Sequence, residues 1–390
     1  MVMILQSLAW ACAAISGVGT LQATMGAALT RRFIIGSRDL TGAEIPTADL
    51  PGVTILKPLH GDEPMLETAL TSFCMQDYPR YQIVFGVHGH DDSAISIVHR
   101  LQARFPAIEI DLVINPAAHG VNHKVSNLIN MYPAARHDII VMADSDIHAG
   151  RDYLRALVQL LQVKGTGLVT TLYAGLPASP TYVRRFGAAQ INQFFMPGVL
   201  LSRQLGREDC LGATMALHRE TLAQVGGLEA LVRHVADDAV LGHKVQDAGL
   251  HVALAPRLTE TTVAEADWAA LFHHELRWGR TIKNLEPLGY ALSSTQLSLF
   301  WAMLCVVTSG LAWGAVLFLL ATWLVRALAA HAINRALGRP DIYLCATLPL
   351  RDWFSALIML CSLRGRRVAW RGKHLHIRRH VRATSARPKG

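Results

Sequence analysis

The chain has 390 residues, 51% of them hydrophobic and 17% charged, with a mean hydropathy of +0.27. That is too apolar for an ordinary soluble protein and too charged for a chain wholly inside a membrane, so a soluble domain joined to membrane segments is expected. The net charge of +8 admits nucleic acid, anionic lipid or a phosphorylated substrate, while six cysteines scattered without metal-ligand spacing argue against a disulfide framework and for a reducing compartment.

From about Met3 to Thr30 the chain carries no charge and is rich in Leu, Ala, Ile and Gly, long enough to cross a bilayer core as one helix. Arg31 and Arg32 follow at once and no basic segment precedes the apolar run, so residues 1–35 read as a retained anchor rather than a cleaved signal peptide. The positive-inside rule then places the chain after Arg32 in the cytoplasm. A polar linker, 36–52, leads to a first strand from Val53 to Leu59, stopped by Pro58 and the turn residues His60-Gly61-Asp62, and a helix at about 64–76. Strands at 81–87 and 109–114, helices at 93–104 and 124–131, and a strand at 138–143 continue the alternation. A helix at 152–163, a strand at 167–172 and a short strand at 210–217 follow. This spacing predicts an α/β domain over 50–287, a mostly parallel sheet with helices on both faces.

The strand at 138–143 is an apolar, β-branched run that opens on Asp144-Ser145-Asp146. Open α/β sheets bind ligands at the carboxyl ends of their strands, and two acids at i and i+2 in such a loop suit one hard divalent cation that keeps sites free for phosphates. A solvated turn is the competing explanation. Neither a G-x-G-x-x-G after the first strand nor a P-loop is present, which disfavours dinucleotide and P-loop folds. Lys124, at a helix start after Gly120-Val121-Asn122-His123, is placed for a phosphate or a nucleobase edge, or is a surface lysine. Asp237-Asp238 opens another helix; capping needs one acid, and the surplus carboxylate is a candidate general base. Arg277-Trp278 lies on a probable helix near the membrane, where an arginine can neutralise a leaving diphosphate and a tryptophan can anchor at the interface.

Taken in order, Asp91-Asp92, Asp144-Ser145-Asp146, Asp237-Asp238 and Arg277-Trp278 resemble the D, D, D, (Q/R)xxRW signature of processive-type and lipid-linked glycosyltransferases. The text around them is similar to glycosyltransferase family 21, the ceramide glucosyltransferase family, at residues 51–59, 90–95 and 124–128, and His274–Ile282 resembles its bacterial hopanoid-biosynthesis branch. The resemblance implies a glycosyltransferase-A-like fold. It also implies that Asp92, with Asp91 beside it, contacts the uracil or ribose of a UDP-sugar, with Lys124 on the same ligand. Asp144 and Asp146 would bind the nucleotide sugar and its Mg²⁺ or Mn²⁺, Asp146 more directly. Asp238 would be the catalytic base; Arg277 and Trp278 would close over diphosphate and acceptor, with Asp237 and His274 on the acceptor side. His274 departs from the pattern, which has Gln or Arg there.

Beyond Pro287 no charge appears from Leu288 to Val325, and Gly310 near the middle suggests a hairpin of two spans within 288–330. Arg326, Arg335 and Arg339 then mark a cytoplasmic return. Arg351 and Asp352 interrupt the apolar run at 343–363, so the segment 340–390 reads as interfacial or re-entrant, with a basic tail after Arg364 suited to anionic lipid. No base-reading module accompanies that tail, so nucleic acid is not an expected partner. The expectation is a multi-pass protein of the inner (cytoplasmic) membrane: an inverting glycosyltransferase with a UDP-sugar donor and a membrane lipid acceptor. A hopanoid polyol receiving N-acetylglucosamine is favoured, and a ceramide glucosyltransferase is the alternative. A processive polysaccharide synthase would need more than about three spans to form its channel.

Overall fold

The structure, a computed structural model, describes residues 2–37, 50–364, 367–370 and 373–376, the last two stretches by backbone alone. Most of the predicted linker and basic tail lie outside the described residues. Eight strands form one sheet: β1 (Val53–Pro58), β2 (Tyr81–Val87), β3 (Glu109–Ile114), β4 (Ile139–Ala143), β5 (Ile147–His148), β6 (Thr166–Pro177), β7 (Thr214–His218) and β8 (His251–Val263). Their order is β3-β2-β1-β4-β7-β6-β8-β5. The first four, in the order β3-β2-β1-β4, are parallel. From there the sheet is mixed: β7 runs antiparallel to both β4 and β6, β8 returns parallel to β6, and β5 caps the edge antiparallel to β8. The sheet is therefore mostly parallel by a narrow margin.

Two hydrophobic cores follow from the period-2 geometry of the strands. Ile139, Val141 and Ala143 point into one, with Ile55, Phe73, Phe85 and Leu101; Ile140 and Met142 point into the other, with Leu56, Val84, Val125 and Leu241. Both faces of β1, β2 and β4 are covered by helices, which is why these strands read as continuous apolar runs. The sequence reading has no element at β8. Its stretch from His251 to Val263 is only half apolar by position, because β8 is covered unevenly and carries two register shifts against β6.

Among the described residues two helices, Val2–Gly36 and Trp313–Ala336, are long and apolar enough to cross a membrane. Pro287–Gln296 and Ser298–Thr308 form a further pair bent by 68°. The chain does turn at Gly310, which adopts φ +68, but the arm before it is broken rather than straight. The first helix buries a stripe of small residues, Ala9, Cys12, Ser16, Gly19 and Gly26. A Cβ on Gly19 would lie 1.9 Å from the Thr295 carbonyl oxygen and one on Gly26 2.6 Å from Pro197 Cβ, so glycine is what lets these backbones meet.

The charges in the C-terminal third are placed differently from the expectation. Arg326 does not mark a return to water; it is 3% exposed, faces Asp352 at 3.5 Å and donates to the Gln296 carbonyl. Arg351 and Asp352 are likewise buried inside the helix bundle, on the inner face of the helix Leu348–Leu363. An ionisable group in an apolar layer faces the bundle interior and a partner, and hydropathy counts cannot see that partner. Arg339 instead reaches the eight-stranded sheet, donating to Glu260 and to the Gly175 carbonyl.

Candidate active site

The loop Asp144-Ser145-Asp146 joins β4 to β5 at the carboxyl edge of the parallel strands. It is pinned by the Asp144 N–H donating to the Ala213 carbonyl and by Thr262 N–H donating to the Asp146 carbonyl at 3.0 Å. Ser145 between them donates to Glu63 at 2.9 Å, and the charges of both Asp144 and Glu63 act on the Asp146 carboxyl. Lys124, at the start of the helix His123–Met131, ties this loop to a second acidic pair. Its Nζ lies 2.6 Å from Asp144 Oδ1 and 3.4 Å from Asp237 Oδ2. Burial pushes the ammonium toward neutrality, but Asp144, Asp237 and Asp238 outweigh it and hold its pKa well above the ordinary lysine range.

Asp237 and Asp238, adjacent at the start of the helix Asp237–Asp247, have different surroundings. Asp237 is buried and accepts from Asn122 Nδ2 at 3.1 Å, so its carboxylate closes the first turn of the site's framework. Asp238 is half-buried and takes only the neighbouring Ala239 N–H. Burial and the Asp237 charge push its pKa up to about 6, against the pull of Lys124. It therefore stays a base at neutral pH while holding a proton more readily than an ordinary aspartate. Room for it comes from Gly212, where a Cβ would stand 2.8 Å from Asp238 Oδ2. Gly212→Ala should push the carboxylate aside and lower kcat roughly 10- to 100-fold through misplacement alone. The check is kcat alongside an unchanged thermal midpoint.

Asp146 is also pushed up to about 6, by burial, by Asp144 and by Glu63, with a hydrogen bond from Thr261 at 2.7 Å acting against them. Lys57, on β1 under the loop and donating to the Asp144 carbonyl at 2.6 Å, does not cancel this charge, because burial lowers its own pKa to about 7. The loop thus carries negative charge that no neighbour fully compensates. With Asp144 Oδ1 on Lys124 and Asp146 Oδ2 on Thr261, each carboxylate keeps one oxygen without a hydrogen bond from the described residues. A hard, all-oxygen donor set of this kind fits Mg²⁺ or Mn²⁺. Among the described residues no group of three or more His, Cys, Asp and Glu is arranged around a metal, so two carboxylates would leave further positions to substrate oxygens.

The remaining residues fall into two groups. Asp92 accepts from the backbone N–H of Gly61 and of Ala94, both at 2.9 Å, tying the loop after β1 to the helix after β2; Asp91 beside it is exposed. Both stand at the same strand edge as Asp144. Arg277 and Trp278 lie on the helix Trp268–Leu285, with the Trp278 ring packed against the cluster of Ala188, Ile191 and Val263 and 4.8 Å from the His274 ring. His274, where the motif has Gln or Arg, is ion-paired with Glu265. Burial pushes the Glu265 carboxyl up, but the His274 hydrogen bond and charge, with Arg277 nearby, hold it below the usual glutamate range.

Besides Lys57, Glu63, Asn122, Gly212 and Thr261, two further residues near the site carry little signal in the amino-acid order. Glu265 lies in the loop after β8, an element that was itself unread. Tyr173 on β6 packs on Phe195 at 4.7 Å and borders the cluster that holds Trp278. Burial, with the charges of Asp238, Asp144 and Asp146, raises its phenol far above the ordinary range, so it is a neutral hydroxyl. Its only sequence signal is a tyrosine interrupting the strand's apolar run.

Compared with known proteins, residues 10–383 match the model of glycosyl transferase family 21. Ceramide glucosyltransferase 1 of Caenorhabditis elegans is 26% identical over 239 residues, 60% of this chain and 50% of that protein. The ceramide glucosyltransferase of Komagataella phaffii is 35% identical over 100 residues, 25% of this chain and 20% of that protein. The chain thus aligns with half or less of the length of these curated relatives. A mannosyltransferase of Pyrobaculum calidifontis, solved in complex with GDP-Man and Mn²⁺, superposes with a TM-score of 0.52 at 19% identity, covering 91% of this chain and 99% of that one, a likeness of fold.

Proposed function

Since the chain belongs to glycosyl transferase family 21, we propose that it is a membrane-bound, inverting glycosyltransferase that moves a sugar from a UDP-sugar to a hydroxyl of a membrane lipid. One observation supports this reading: the Lys124 ammonium joins Asp144, of the loop Asp144-Ser145-Asp146, to Asp237 at the carboxyl edge of the sheet, with the charge of Asp238 acting on the same ammonium. Asp238 takes the proton of the acceptor hydroxyl as its oxygen attacks the anomeric carbon. The bond from that carbon to the diphosphate breaks on the opposite face, which inverts the configuration. Lys124 and Arg277 meet the charge that develops on the departing diphosphate, and Trp278 closes the apolar wall on the acceptor side. A divalent cation held by Asp144 and Asp146 would supply further positive charge to the diphosphate. No acid is needed for the leaving group, which separates this site from the two-carboxylate hydrolases.

The lipid acceptor is supported by where the site stands. Ile34, near the end of the first apolar helix, and Leu337, at the end of Trp313–Ala336, pack with Leu172 and Leu200, and Tyr173 borders the same cluster. A hydroxyl at headgroup depth then meets the site while its tail stays in lipid. On this reading residues 1–35 and 288–330 hold the domain 50–287 at the cytoplasmic face. The hopanoid polyol with N-acetylglucosamine rests on the resemblance at 274–282, and ceramide with glucose on the named relatives.

The deciding experiment supplies the purified chain with UDP-glucose and UDP-N-acetylglucosamine, each against ceramide and a hopanoid polyol, with and without chelator. Products are identified by mass and anomeric configuration. A single β-linked glycolipid from an α-linked donor is the expected result; long glycan chains, or retention of configuration, would overturn it.

A further inference from the structure

The helix that carries Arg277 and Trp278 is held by a charge pair which takes no part in the chemistry described above. Glu275, on Trp268–Leu285, is 8% exposed, and Arg351, on Leu348–Leu363, is 1% exposed. They meet in the bidentate geometry peculiar to a guanidinium and a carboxylate, Nη1 to Oε1 at 2.9 Å and Nη2 to Oε2 at 2.5 Å. Arg351 also donates to Ser355 at 3.0 Å and lies over the rings of Phe186 and Phe354, at 4.5 and 4.8 Å, two rings that meet edge to face. Farther along the same two helices, Lys283 donates to the Ser362 carbonyl, and Gly279 lets Ile358 approach. The opposite face of Leu348–Leu363 leaves Leu350, Trp353, Leu357 and Leu360 exposed, a stripe at helical spacing that fits an apolar surface.

We propose that Arg351 and Glu275 are a positioning pair that fixes the Arg277–Trp278 turn to a helix whose outer face sits in the lipid surface. Their fork joins the turn that closes over the diphosphate to an element positioned by the membrane. The buried pair is weak as a source of stability, since two apolar residues of similar volume would fill the space equally well. Its geometric exactness is what an apolar pair lacks. This inference rests on the proposed transfer reaction for its catalytic consequence but not for its structural one.

The test compares wild type, Arg351→Lys and the double variant Arg351→Met with Glu275→Leu, each as the full chain in phosphatidylcholine vesicles. Lysine keeps the charge and loses the fork; the double variant keeps the packing and loses both. Hydrogen exchange of the amides from 274 to 280 is expected to speed up by roughly 10-fold in both variants, while β4 amides stay protected. With the lipid acceptor saturating, kcat should fall roughly 10- to 100-fold and the donor KM hold within about 2-fold. Native exchange at 274–280 together with native kcat in the double variant would reduce the pair to packing and overturn the proposal. If the double variant fails to fold, Arg351→Lys decides by the same readouts. If wild type turns over none of the donors, the transfer reading fails on that result, and the exchange comparison still decides whether the pair positions the turn.

Discussion

Asp238→Asn should reduce turnover by roughly 1,000-fold, the scale on which removal of a positioned base acts, while leaving the affinity for UDP nearly unchanged. The side chain takes only the Ala239 N–H, which an asparagine carbonyl accepts equally well, so the local fold persists. The same substitution should raise the thermal midpoint. Asp238 titrates near 6 in the folded chain against about 3.9 in an unfolded one. A carboxyl whose folded pKa is raised costs stability once both states are ionised, and that cost disappears as pH falls below the unfolded value. At neutral pH the asparagine therefore returns about 1–2 kcal/mol. Loss of activity with a gain in stability separates a working base from a structural carboxylate, whose removal would lower both. In wild type with Mn²⁺ in excess, so that Asp146 stays ionised, kcat/KM should fall about tenfold per pH unit below about 6. A variant with native turnover would move the base to another residue.

The second large effect is expected at Asp146. Asp146→Asn removes one of two carboxylates that fit a divalent cation, and kcat/KM should drop roughly 100- to 10,000-fold. A readout that needs no turnover accompanies it: in wild type Mn²⁺ should raise the thermal midpoint in a concentration-dependent way and tighten UDP binding in a calorimeter, and in Asp146→Asn it should do neither. Chelation of wild type should mimic the variant, and added Mn²⁺ should restore wild type alone. Because Asp146 also titrates near 6, its protonation would cut the rate in the same pH range as that of Asp238. Metal concentration tells them apart: excess Mn²⁺ shifts an acid limb owed to Asp146 to lower pH and leaves one owed to Asp238 in place. Undiminished Mn²⁺-dependent UDP binding in Asp146→Asn would remove Asp144 and Asp146 from the metal role.

The range of β2, Tyr81–Val87, was legible to the residue and that of β4 to within one, because a strand covered on both faces is dominated by apolar residues; β3, Glu109–Ile114, is a half-exposed edge strand and was legible to the residue from its alternating pattern instead. So were the acids that follow those strands, since strand ends and loop acids are local features. β8 was not: half its positions are polar, and its place depends on β6, which lies some 80 residues earlier. With β8 unread, Thr261 on Asp146 and Glu265 on His274 were out of reach as well.

What the amino-acid order alone determined is the alternating domain, its acidic strand ends, the two long apolar helices and the resemblance that joins the motifs. Periodicity and composition report what each stretch buries, one stretch at a time. The tertiary structure decided which of Asp237 and Asp238 is framework and which is available. It paired Arg326 with Asp352 and Arg351 with Glu275 inside the helix bundle, and it set Tyr173 against Phe195 and the cluster that holds Trp278. Those outcomes depend on partners brought together from distant parts of the chain. A charge or hydroxyl shows its partner only after the backbone has folded it there.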